Sequence, residues 1–252
     1  SEFYCNKLIL TAGTLGSARI VLRSLHGKIS RLPVLCNPYT YMPCIHLKML
    51  GKPLDKYKTS MAQAMMVYDV TGKHDDIVSL ALYTYRSLML FKLIKEAPLN
   101  FSDGRKIMQF LQSSFIIAGI FHPDSYSDDK YLELHNDPSS FTGDHLFAHF
   151  KLSGSELNTI KEREKVLRKA FKKLDCYPIK RMDPGFGSSI HYAGTLPYND
   201  GARIGTLTKS GNLNGFRNVY VADSSGFSYL PAKGITLSLM ANAHRTALNS
   251  LK

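Results

Sequence analysis

The stretch Lys7-Leu-Ile-Leu-Thr-Ala-Gly-Thr-Leu-Gly-Ser-Ala-Arg19 decides the reading of the fold. Its first residues form a short apolar run of strand character that enters a glycine turn, and Ser17 to Ser24 has the composition of the helix that follows. Strand, turn and helix in that order make one unit of an α/β sheet. Gly13 and Gly16 permit close backbone approach to a neighbour or ligand, and an ordinary turn uses the same two residues. The far end of the chain returns to this style. Asn218-Val-Tyr-Val-Ala-Asp223 is a compact strand ending in an acidic residue, and Thr236 to Leu251 is helical in composition. Thr236 is placed to cap that helix, and Ala241, Ala243 and Ala247 suit close packing against a sheet.

Between these ends, from about Arg31 to Asp183, the texture changes in the way a separate domain or large insertion would change it. Pro33, Pro38, Pro43 and Pro53 break its early part. Met61 to Val70, Ser114 to Phe121, Lys130 to His135 and His145 to Leu152 are rich in aromatic and branched residues. Turn-forming Asp, Ser, Gly and Pro separate them, which predicts strands of a largely antiparallel sheet. Ser153 with Glu156 three residues later has the pattern of a capping box, in which two orphan amides at a helix start are satisfied reciprocally. The helix so opened carries Leu157, Ile160, Leu167, Phe171 and Leu174 on one side. Lys161, Arg163, Lys165, Arg168, Lys169, Lys172 and Lys173 fall on the solvent side.

The chain has 252 residues, 44% of them hydrophobic, enough for a substantial core, and a formal net charge of +12. Positive potential attracts an anionic substrate, nucleic acid and a membrane surface alike, so charge alone does not choose among them. The basic helix face reads first as a solvated surface. Cys5, Cys36, Cys44 and Cys176 are scattered without a CxxC pair, indicating neither a zinc site nor a disulfide framework, and a reducing cytoplasm is the default. Ser1 to Leu10 has neither a basic leader nor a long apolar run before a small-residue cleavage site, so no secretion signal is expected. Ile77 to Lys95 approaches membrane-spanning length at about 1.5 Å per residue, but Arg86 and Lys92 interrupt it. It reads as a buried or groove-lining helix, with peripheral membrane contact as the competing reading.

Three separated segments occur in the order found in one family. They are Leu8 to Arg19, His191-Tyr-Ala-Gly-Thr195, and Asn218 to Ser225 followed by Thr236-Leu-Ser-Leu-Met-Ala-Asn-Ala-His-Arg245. Each is weak alone; together the chain resembles the carboxyl-terminal part of the glucose-methanol-choline oxidoreductases. The resemblance implies an α/β fold with an α+β substrate domain: a partial, Rossmann-like FAD-binding domain from residues 1–30 and 183–252, and a substrate-binding domain over 31–182 with a mainly antiparallel sheet and helices. It implies oxidation of a CH–OH group of an alcohol or sugar by hydride transfer to flavin N5, with His191 taking the hydroxyl proton. Imidazole, with its ordinary pKa of about 6.5, suits that task. The resemblance also sets Asp223 and Ser224 beside the flavin's ribityl and phosphate chain, with a simple loop cap as the competing role for Asp223. Ala12 and Gly13 would lie against the cofactor. The helix start at Gly234, Ile235 and Thr236 would turn its positive dipole towards flavin N1 and O2. No nucleic-acid partner is implied.

Two features depart from the family pattern. No G-x-G-x-x-G occurs in these residues, so an amino-terminal FAD-binding segment, in the same gene or on another chain, is expected to supply it. Where the family carries a second histidine or an asparagine, this chain has Gly234 preceded by Lys233, and Lys233 becomes the weaker candidate for contact with the substrate oxygen. A noncatalytic binding or structural module is therefore the alternative function. Other constellations carry less. His145 and His149 lie on a predicted strand, too extended for one metal ion. Gly185-Phe-Gly-Ser-Ser-Ile190 has Ile190 where a dinucleotide loop needs its last glycine, and neither a GxSxG elbow nor a GxxxxGK[ST] loop is present.

Overall fold

The computed structural model describes residues 2–54, 62–74, 76–84, 95 and 98–251, with only the backbone of Met108. In chain order its elements are β1 (Leu8–Leu10), α1 (Gly13–Ser24), β2 (Arg31–Pro33), β3 (Leu35–Cys36), β4 (Tyr39–His46), β5 (Ala64–Asp69), β6 (Ile77–Tyr83) and α2 (Phe101–Leu111). There follow β7 (Phe115–Phe121), β8 (Lys130–Asn136), β9 (Asp144–Phe150), α3 (Gly154–Lys173), β10 (Cys176–Pro178), β11 (Tyr192–Ala193), β12 (Val219–Val221) and α4 (Thr236–Ser250). The fold is mixed α/β, with antiparallel sheets, one parallel strand pair and helices. Two compact units emerge: Ser1–Asn37 with Pro123–Leu152 and Ser189–Lys252, and Pro38–His122 with Ser153–Ser188.

The second unit is built on a five-stranded antiparallel sheet ordered β10-β4-β7-β6-β5. Alternation along the strands sends Met42, Cys44, Ala118 and Ile120 into one cluster with Leu167 and Phe171 of α3. Tyr41, Phe115 and Ile117 form another, as the two-residue period of a strand requires. The capping box at Ser153 and Glu156 is formed, and Ile160, Leu167 and Phe171 are the buried stripe of α3. Leu157 and Leu174, also expected on that stripe, are exposed.

Two expectations are corrected in this unit. Ile77–Tyr83, the described start of the run read as a helix, is strand β6, inside the sheet between β7 and β5. A strand buried on both faces loses the polar alternation that marks a half-buried one, so its apolar run imitates a buried helix. Residues 85–94 of that run lie outside the described residues, among which no helix is long and apolar enough to cross a membrane. The proline-broken region likewise contains an eight-residue strand, β4. Pro43 is tolerated because its carbonyl, and so its nitrogen, faces Ile179, between the β10 ladder and the Tyr41–Met182 bridge, where no ladder donor is needed.

A buried polar group gives this unit an acid-sensitive stability. Glu164 accepts hydrogen bonds from Thr40 at 2.7 Å and Arg181 at 2.7 Å, and its Oε1 lies 3.8 Å from His122 Nε2, an electrostatic contact rather than a hydrogen bond. Burial depresses the pKa of His122 below its ordinary 6.5, against the pull of Glu164. The unfolded imidazole therefore binds a proton at a pH where the folded one does not, and stability falls as pH drops through about 6.5. Burial pushes Glu164 upward, but its neighbours outweigh this and hold the carboxyl below its usual 4.5. Its contribution is present above that value and lost as pH falls through the folded pKa. Urea unfolding between pH 8 and 3 should show both declines, and His122→Gln should remove the one near pH 6.5.

In the first unit β1 pairs β12 in parallel, Leu8 opposite Val219 and Leu10 opposite Val221, while β2, β8 and β9 form a three-stranded antiparallel sheet. Ala18, Val21 and Leu22 of α1 bury against Leu10, Leu32, Leu132, Leu207 and Val221. Arg19 and Arg23 both reach the Asp144 carboxylate on β9. Hence residues 123–152 group with the chain ends, whereas the sequence division at 30/31 and 182/183 assigns them to the middle. The cause is the β2–β8 ladder, invisible as a pattern because β2 is only three residues long and ends in Pro33.

Candidate functional site

The first unit contains a cleft of about 410 Å³ lined by the start of α1 (Ala12 to Gly16), by Ile190, His191 and Tyr192, by Ser224, and by Ile235, Thr236 and Leu239 at the start of α4. Gly13, at φ +75°, turns the chain from β1 into α1, and a side chain there would project into open space rather than meet protein. The cap positions are Ala12 for α1 and Ile235 for α4; neither helix has a side-chain cap or an acidic residue in its first turn. Thr236, expected to cap α4, is instead its first residue. The positive ends of two helix dipoles thus border one cleft with their leading amides unclaimed by side-chain caps.

His191 is half-buried and brought to the cleft by β11, whose Tyr192 and Ala193 pair with Cys36 and Leu35 of β3. Its Nδ1 lies 3.1 Å from Asn37 Oδ1, and burial depresses its pKa below the ordinary 6.5. Thr14 and Ser224 both donate to the Tyr192 carbonyl, at 3.0 and 2.9 Å, tying this segment to α1 and to the 3-10 turn Ser224–Gly226. Ile190 holds φ +55° while 80% exposed, a left-handed conformation that a β-branched residue rarely adopts. The glycine missing from the Gly185 to Ile190 pattern is missing at a position of glycine-like backbone.

Of the residues singled out from sequence, Ala12, Gly13, His191, Ser224, Ile235 and Thr236 meet at this cleft. Asp223 is not among its lining residues. It is buried, accepting from Ser17 Oγ at 2.5 Å and from the Ser225 amide at 2.9 Å, so its carboxylate fastens α1 to the turn behind the cleft wall. Lys233 and Gly234 are exposed and outside the lining. Sequence reasoning missed Asn37, Thr14 and Tyr192. Thr14 and Tyr192 sit inside the Leu8–Arg19 and His191–Thr195 motifs and were readable as neighbours; Asn37 becomes a neighbour of His191 only through the two-residue β3–β11 ladder.

Gly194 supports the same wall. At φ +75° it donates its amide to Ser224, and an added Cβ would lie 2.7 Å from Tyr126 Oη and 2.8 Å from Leu35. Gly194→Ala should cost about 2–4 kcal/mol, the left-handed penalty plus overpacking, read as a lower urea midpoint with an unchanged slope.

No protein-family model matches the chain, and no curated protein matches it. Among solved structures it is similar to pyridoxine 4-oxidase from Mesorbium loti, with a TM-score of 0.60 and 14% sequence identity, over 98% of this chain and 52% of that one. The chain shares its fold with, and spans about half the length of, that oxidase.

Proposed function

We propose that this chain is part of an FAD-dependent oxidoreductase of the glucose-methanol-choline type, oxidising a CH–OH group of an alcohol or sugar with His191 as the base. The observation that carries the reading is the convergence of a half-buried imidazole, whose burial disfavours its charged form, and two helix starts without side-chain caps on one cleft. These residues fit a flavin: the glycine turn leaves room for a planar ring, and the leading amides of both helices suit electronegative ring and phosphate atoms. Bound there, FAD would supply the hydride acceptor. His191, neutral because burial disfavours its charge, takes the hydroxyl proton, and Thr14 and Ser224 fix the backbone that carries it.

The remaining FAD contacts belong, in this reading, to an amino-terminal segment of the same gene or another chain. Its support is the parallel pair β1–β12, a ladder that two strands alone do not stabilise. β1 is an edge strand with Leu8 and Ile9 exposed by 45% and 40%, and Leu237 and Met240 of α4 are exposed by 81% and 62%. An apolar edge of this kind suits a further strand. Lys233 and Gly234 outside the cleft favour the noncatalytic module as the second reading. Purification of the intact protein with FAD, followed by anaerobic addition of candidate alcohols, separates the two. Flavin absorbance that bleaches supports the oxidoreductase, and a protein that stays colourless in excess FAD supports the module.

A further inference from the structure

Asn37 is 2% exposed, and its Nδ2 donates to the carbonyls of Pro231 at 3.1 Å and Leu230 at 3.4 Å. Carbonyls only accept, so the amide nitrogen must face them, and Oδ1 must face the other way, where His191 Nδ1 stands 3.1 Å distant. The orientation of the amide is thus fixed by chemistry at its far side. That far side is itself held. Leu230 exchanges backbone hydrogen bonds with Asp124 at 2.9 and 3.1 Å, and the Asp124 carboxylate accepts the amide of Cys36, the residue before Asn37, at 2.9 Å.

An amide oxygen cannot donate, so the proton in this contact belongs to His191 Nδ1, and in the neutral ring the lone pair belongs to Nε2. We infer that Asn37 is a positioning residue that sets the tautomer of His191 and thereby makes Nε2 the proton-accepting atom at the cleft. The inference rests on the reading of His191 as the base and adds which nitrogen acts and what selects it. Asn37 does not touch the reacting atoms; it acts through His191.

The test is nitrogen NMR of the histidine rings in the full chain labelled with 15N-histidine, the His191 signals being assigned by their loss in His191→Gln. The wild-type ring should carry its proton on Nδ1. Asn37→Leu should give a mixture of tautomers, while Asn37→Asp should keep the proton on Nδ1 and raise the His191 pKa by about one to three pH units, as an added carboxylate does. In flavin reduction by an alcohol, Asn37→Leu should lower the limiting rate about tenfold or more with KM little changed, and Asn37→Asp should recover rate with its acid limb moved to higher pH. A wild-type ring protonated on Nε2, or an unaltered tautomer in a folded Asn37→Leu, overturns the proposal. If Asn37→Leu does not fold, the wild-type and Asn37→Asp spectra still decide it. Correct tautomers in a protein whose flavin no alcohol reduces would uphold Asn37 and reject the proposed oxidation.

Discussion

Lys130→Met should destabilise the first unit by about 3–5 kcal/mol, the cost of stranding a buried charge. Lys130 is fully buried, its Nζ 2.5 Å from Asp124 Oδ1, 3.3 Å from the Ser125 carbonyl and 5.3 Å from the centre of the Phe150 ring. Asp124 is 3% exposed. Burial already pushes its carboxyl above the usual 3.8, and the ammonium leads the groups that oppose that push, ahead of the Cys36 and Ser125 amides. Without Lys130 the folded carboxyl holds its proton more tightly than the unfolded one. The variant should therefore recover stability as pH falls towards 4 and lose it as pH rises through the raised folded pKa, opposite in sign to the effect of Glu164. Adding Asp124→Asn should restore part of the loss, because an amide keeps an acceptor for the Cys36 amide while removing the stranded charge. Urea titrations of the wild type and the two variants at pH 5 and 8 measure all of this, and equal losses at both pH values in Lys130→Met would contradict it.

His191→Ala should lower the rate of flavin reduction by an alcohol about 100-fold or more, the usual worth of a positioned general base. The loss should fall on the limiting rate, because proton removal belongs to the transition state and substrate binding need not change. Burial depresses the imidazole pKa, so the active, unprotonated form persists below pH 6.5 and the acid limb of the wild-type profile should lie under that value. In His191→Ala that limb should disappear. A variant that reduces its flavin at the wild-type rate, or keeps the same acid limb, would assign the proton to another acceptor.

Legibility in the sequence followed the range of the interactions. The capping box, the buried stripe of α3 and strands β5, β7, β8 and β9 are encoded within a few residues, so period and cap chemistry predicted them with ends shifted by only a few positions. β6 and β4 were misread because burial on both faces erases alternation in one and a tolerated proline disguises the other. At the cleft, His191, Gly13, Ser224, Ile235 and Thr236 came from motif resemblance, not from any local signal of catalysis. Thr236 as a cap did not follow from its residue type, since the chain enters α4 one position earlier, at Ile235. Asn37 had no signal at all: an asparagine before a proline predicts a bend, and only the tertiary ladder gives it a histidine.

The ladder between β1 and β12 has a further consequence for synthesis. Vectorial translation delivers Leu8–Leu10 well before Val219–Val221, so the side of β1 that β12 covers stays unmatched while the intervening segment is made. Closure across so long a span is entropically slow, and holdase chaperones or cooling during expression should raise the soluble yield more than any improvement of the middle segment would.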